Sequence, residues 1–73
     1  MPREIRIEGE SIRLGQLLKL AGIIDSGSEA KVLLATDPVS VNGEPEARRG
    51  RQLHAGDRVQ VGDQELLVLG EPR

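Results

Sequence analysis

Apolar positions along this chain fall into short alternating runs and two helical stripes. Ile5 and Ile7 alternate with Glu4, Arg6 and Glu8, the period of a strand with one buried face, and Gly9 closes the run. Ser11 predicts the N-cap of a helix from about Ile12 to Ala21. There Leu14, Leu17, Leu18 and Ala21 recur at i, i+3, i+4 and i+7, Gln16 and Lys19 take the other side, and Gly22 is the stop. Ser26 and Glu29 have the spacing of a capping box and open a second helix. Its buried stripe is Ala30, Leu33 and Leu34, with Lys31 pointing elsewhere. Asp37-Pro38 ends it, because the residue before proline is pushed out of the α region. Val39 and Val41 flank Ser40, and Asn42-Gly43 follows at once, a strong turn signal because both residues accept positive φ. Gly56-Asp57 marks another turn, Val59 and Val61 a strand, Gly62-Asp63 a two-residue hairpin, and Leu66 to Leu69 a final strand apolar on both faces. The tail from Gly70 to Arg73 is expected to fray. Strand, helix, helix and then three or four strands predict a small α+β domain.

Composition narrows what such a domain can do. A chain of 73 residues has room for one small domain with a thin core; domains of this size bury only about 60% of their unfolded surface. There is no cysteine and one histidine, so neither a disulfide nor a structural zinc site is expected, and no cofactor is read from the residues. With no aromatic residue, the core must be built from Leu, Ile, Val and Ala, and base stacking is unavailable as a binding device. No apolar run approaches the roughly 20 residues that span a bilayer, and MPREIRIEGE lacks the apolar stretch of a signal peptide. The expectation is a cytoplasmic protein with no membrane contact.

The formal charge of −2 argues against indiscriminate affinity for polyanions, but its distribution is uneven. From Arg48 to Arg58 there are four arginines and a single acid, Asp57. Catalysis finds little support. A hydrolase triad around His54 would also need a positioned nucleophile and an orienting carboxylate, and Ser11, Ser26, Ser28 and Ser40 already have local roles as caps or strand-face residues. Glu44 and Glu46 flank Pro45 and are expected to be solvated loop acids. Gly43 to Gly50 lacks the Lys-Ser/Thr of a phosphate-binding loop. The sharper signal is a well-fixed turn at Asn42-Gly43 followed by Arg48, Arg49 and Arg51, guanidinium groups held rigidly enough to face a polyanion. Lys19 and Lys31 project from the polar sides of the two helices. Ser26 and Ser28 add hydroxyls and helix N-terminal amides, natural phosphate ligands.

The run SGSEAKVLLATDPVSVNG, preceded by IRLGQLLKLAG, resembles the S-four RNA-binding domain, also called the alpha-L motif. The matching positions are Leu14, Leu17 and Leu18, then Ser26, Ser28, Ala30, Leu33 and Leu34, then Val39, Val41, Asn42 and Gly43, with Gly56-Asp57 as the later turn. They span about Ile12 to Val61 of a chain taken as a single domain, 1–73, and the continuation EARRGRQL is similar to the short stand-alone bacterial members, the YbcJ-like group. The chain departs from the family pattern at Gly27, where an arginine is frequent, and at Asp37, where a glycine is usual. The resemblance implies two packed helices against a small, mostly antiparallel sheet. It also implies a non-catalytic, monomeric module that recognises structured RNA, ribosomal or transfer, by shape and backbone. Lys19, Lys31, Arg48, Arg49 and Arg51 would contact phosphates, while Ser26, Ser28 and Asn42 would add hydrogen bonds. The rival reading, motivated by the acidic balance and Gly27, is a protein-interaction module that keeps the scaffold and docks on a ribosome-associated partner such as a ribosomal protein. An enzyme is a distant third, since family members that act on RNA carry their chemistry in an additional domain.

Overall fold

The computed structural model describes residues 2–70. The elements run β1 (Arg3–Arg6), β2 (Ser11–Arg13), α1 (Leu14–Leu20), α2 (Gly27–Thr36), β3 (Val39–Val41), β4 (Glu44–Pro45), β5 (Gln52–His54), β6 (Arg58–Val61) and β7 (Gln64–Leu69). Five strands form one sheet in the order β1-β7-β6-β3-β4, with β1 parallel to β7 and every other pairing antiparallel. β2 and β5 form a separate antiparallel pair. This is the α+β architecture that the pattern predicts.

Strand alternation sends one set of side chains inward. Ile5 lies opposite Val68, Val59 opposite both Leu66 and Val41, and Val61 opposite Val39. All of these are buried, and they form one cluster with Leu14, Leu17 and Leu18 of α1 and Ala30 and Leu34 of α2. Among the described residues no polar or charged residue belongs to the buried core, so a core without aromatic rings is also a core without polar groups to satisfy. The last strand buries only Leu66 and Val68; Leu67 and Leu69 on its other face are half-buried. The tail residues 71–73, expected to fray, lie outside the described residues.

The first helix differs from its expected span. Ser11 is not its cap: residues 11–13 pair with His54, Leu53 and Gln52, and the helix begins at Leu14 after Arg13, which offers no side-chain cap. A backbone partner far along the chain outcompetes the local capping preference. The end follows the sequence closely. Gly22 takes φ +76°, its N–H donates to the Lys19 carbonyl at 3.0 Å, and the Ile23 N–H donates to the Leu18 carbonyl at 3.0 Å. This pair of bonds is the Schellman closure, which favours glycine at its left-handed position.

The second helix starts after Ser26 as expected, but the capping box does not close. The Ser26 hydroxyl meets the Ser28 hydroxyl at 3.1 Å, and the Glu29 carboxylate accepts from the Asp25 N–H at 3.3 Å, one residue earlier than the box requires. Leu33 is half-buried rather than core, because Ala30 and Leu34 alone make the inward stripe. Asp37 closes the helix in an extended conformation, φ −110° and ψ 147°, as the following Pro38 demands. Asn42 and Gly43, at φ +52° and +85°, make the tight turn between β3 and β4. Glu44 and Pro45 are therefore an edge strand rather than loop, a position where proline's missing N–H is tolerated. No helix of the described residues is long and apolar enough to cross a membrane.

Candidate nucleic-acid interface

The arginine segment is organised around Glu46. Its backbone N–H donates to the Val39 carbonyl at 2.9 Å, which fixes the residue beside β3. Its carboxylate accepts from the backbone N–H groups of Ala47 and Arg48 at 3.1 and 3.2 Å. It also accepts from Arg48 Nε and Nη2 at 3.1 and 3.2 Å, and from Arg51 Nη1 at 3.1 Å. The Glu46 side chain is only 7% exposed beneath an Arg48 side chain that is 77% exposed. Hydrogen bonds from Arg48, then from Arg51, lower the Glu46 pKa from 4.5 to about 2, and the same contact raises that of Arg48. Glu46 is thus not the solvated acid expected from its place beside Pro45. It pairs with two of the three clustered arginines and offsets one of their two charges.

The segment is also tied to α1. The Leu14 and Gly15 N–H groups, which have no partner inside a helix, donate to the carbonyls of Arg51 and Arg49 at 2.8 and 2.9 Å. Gly15 lies directly against this segment. A Cβ at that position would sit 3.4 Å from both the Cβ and the carbonyl oxygen of Arg49, and 3.6 Å from the Ala30 Cβ. Helix α1, helix α2 and the arginine segment therefore meet at one point.

Arg49 leaves that junction in a different direction from its neighbours. Its Nη1 donates to the Gly27 carbonyl at 3.2 Å, at the start of α2. On one side lies a groove of about 320 Å³ whose walls include Arg13, Gln16, Lys19, Gly27 and Arg49. On the other side a second groove is lined by Lys31, Leu34, Ala35, Ala47 and Arg49 again. Arg49 is the ridge between them. Among the described residues, the side chains of Arg13, Lys19 and Lys31 have no ion-pair or hydrogen-bond partner. Arg49 thus brings a guanidinium to the backbone of Gly27.

The anticipated residues separate into groups. Lys19 and Arg49 share a groove, and Lys31 faces Arg49 from the other side. At the start of α2 Ser26 is half-buried and Ser28 exposed, with their hydroxyls bonded to each other. Arg48 and Arg51 sit on Glu46. Asn42 is committed elsewhere: its Nδ2 donates to Asp57 Oδ1 at 3.1 Å and its Oδ1 accepts from the Arg58 N–H at 2.9 Å, pinning one turn to the next. Asp57 also accepts from the His54 backbone N–H at 2.7 Å, so this corner of the fold is a turn-to-turn brace. Arg13 is the groove residue that sequence reasoning missed. The signal was present in the i, i+3, i+6 spacing of Arg13, Gln16 and Lys19. Among the described residues no group of three or more His, Cys, Asp or Glu side chains is placed to hold a metal.

Comparison with known proteins agrees with this architecture. The family model for the S4 domain matches residues 5–69. The chain is 51% identical over 61 residues to "Probable ribosome maturation protein RlbA" of Bacillus subtilis (strain 168), a match covering 84% of this chain and 86% of that protein. It is 34% identical over 58 residues to "Putative RNA-binding protein YbcJ" of Escherichia coli (strain K12), covering 80% of this chain and 83% of the other. With the family model spanning almost all of the described residues, and two packed helices set against a mostly antiparallel sheet, the chain belongs to the S4 domain family.

Proposed function

We propose that this chain is a non-catalytic, single-domain module that binds structured RNA, ribosomal or transfer, chiefly through its phosphates. The observation that carries the reading is Arg49, held on the ridge between two grooves beside Arg13, Lys19 and Lys31, whose side chains have no partner among the described residues. Unpartnered surface cations gain most from a polyanion, because each neutralised phosphate releases a condensed counterion. Lys19, Arg49 and Arg13 make the primary contacts. Lys31 and the hydroxyls of Ser26 and Ser28 extend them along α2. Arg48 and Arg51, already paired with Glu46, add less. Without an aromatic side chain the module reads shape and backbone rather than stacked single-stranded bases. Membership of the S4 domain family supports this, as do relatives named for RNA binding and ribosome maturation. They also favour a cytoplasmic, ribosome-associated setting.

The test is titration of the folded protein against a ribosomal RNA hairpin at several salt concentrations. Saturable binding is expected, with log K falling against log salt at a slope of about −2 to −4, for roughly three to five phosphates at about 0.7–0.9 each. If no structured RNA shows saturable binding even at low salt, the reading is overturned in favour of a protein partner on the same surface.

A further inference from the structure

We propose that the RNA path continues from the Arg49 groove across α1 into a third groove, where Arg6 and Ser11 hold a further stretch of the same ribose–phosphate backbone. This rests on the RNA-binding reading above and extends its footprint to a side of the molecule that neither the arginine cluster nor the second helix touches.

The third groove, of about 720 Å³, is larger than the two flanking Arg49, and its walls include Arg6, Glu8, Ser11, Lys19 and Leu20. Gln16 and Lys19 line both this groove and the Arg49 groove, so the two adjoin along the outer side of α1. A seven-residue helix is about 10 Å long, short enough for one strand to lie across it and reach both sides.

The distribution of unpaired charge follows the same line. Arg48, Arg51 and Arg58 each have a carboxylate partner. Arg6, Arg13 and Lys19 have none among the described residues, and all three line these adjoining grooves. A track running Arg49, Arg13, Lys19, Arg6 thus carries four cations without a carboxylate partner among the described residues, while Lys31 and Arg3 lie off it.

The other groups in the groove suit a ribose–phosphate chain. Ser11 and Gln16 can each donate to and accept from a 2′-hydroxyl, the group that distinguishes RNA from DNA. Leu20, 56% exposed, offers an apolar surface for the carbon face of a sugar. Glu8 opposes the polyanion, and this makes the site unusually easy to probe, because removing an acid should strengthen binding where removing a base weakens it.

The experiment compares wild type, Arg6→Gln, Arg6→Lys and Glu8→Gln against a ribosomal RNA hairpin over a series of salt concentrations, with circular dichroism to confirm the fold. Arg6→Gln is expected to reduce the salt slope by about one unit and to weaken binding similarly across RNA sequences, as for any phosphate contact. Arg6→Lys should keep the slope. Glu8→Gln should raise affinity at low salt by a few-fold. Arg49→Gln serves as the reference. If it weakens binding while Arg6→Gln and Glu8→Gln leave both affinity and slope at wild-type values, the path stops at the first groove, and only the extension is overturned. Absence of binding by the wild type overturns the RNA reading and the extension together. A polyglutamate peptide that binds as tightly as the hairpin, with the same dependence on Arg6, would make the third groove a site for acidic protein segments and overturn the proposal.

Discussion

The arginine segment and the outer side of α1 are both basic, and they differ in what their charges are already doing. In the segment, Arg48 and Arg51 close on Glu46, whose carboxylate also receives two backbone N–H groups. Along α1, the side chains of Arg13 and Lys19 stand over an open groove without partners among the described residues. The first region is dense in charge and partly offset by its own carboxylate; the second is sparse and free. The density of arginines in a sequence therefore does not measure the charge that a surface offers to a ligand. Within the cluster only Arg49 escapes Glu46, and it does so by crossing to the α2 start.

The largest expected effect removes the platform common to both regions. Leu17 is fully buried beneath α1, and Leu17→Ala should cost about 2–5 kcal/mol. Against a total stability of about 5 kcal/mol for so small a core, that unfolds much of the population, read as a collapse of the denaturant midpoint. Leu33→Ala, at a half-buried position, should move the midpoint less.

Next comes the direct contrast between the regions. Replacing Arg13, Lys19 and Arg49 together by glutamine should flatten the salt dependence of RNA binding by about two to three units. Equal losses from this triple variant and from an Arg48→Gln, Arg51→Gln double variant would erase the distinction drawn here.

A smaller effect isolates the brace. The Glu46 pKa is depressed in the folded state from 4.5 to about 2. A depressed carboxylate contributes stability that is present above its unfolded pKa and lost as the pH falls through the folded value. Thermal midpoints of the wild type should therefore decline between about pH 4.5 and pH 2, and Glu46→Gln should lack that part of the decline while being less stable at neutral pH. Parallel pH profiles for the two proteins would show that the arginines do not hold the carboxylate. The smallest effect belongs to the Arg48→Gln, Arg51→Gln double variant itself, which should change the salt slope by less than about one unit, since both cations are engaged before RNA arrives.

Much of the fold could be read locally. Asn42-Gly43 and Gly62-Asp63 specify their turns by backbone preference, Gly22 specifies a helix end, and the alternation of Ile5, Val39, Val41, Val59 and Val61 sorts the sheet's inner face. What escaped depends on partners distant in sequence. Ser11 satisfies a local rule for a cap, yet its backbone pairs with His54. Gln52-Leu53-His54 contains one apolar residue and so shows no period, although Leu53 is completely buried. The candidate site was legible in part: residue type pointed to Lys19 and the arginines, but the directions in which the guanidinium groups of Arg48, Arg51 and Arg49 turn are set by Glu46 and by the Gly27 carbonyl. Neither spacing nor charge count encodes those contacts.

The carbonyls of Arg49 and Arg51 that receive the first N–H groups of α1 bear on the order in which the chain can fold. Helices shorter than about 12–15 residues are marginal alone in water, and α1 has seven. During synthesis its residues emerge well before the arginines that close its first turn. The helix must then wait, fluctuating, until β3, β4 and the segment after Glu46 have been made and folded back. An element near the beginning of the chain is thus completed by backbone from the second half, and α1 becomes persistent only once the chain has grown past Arg51.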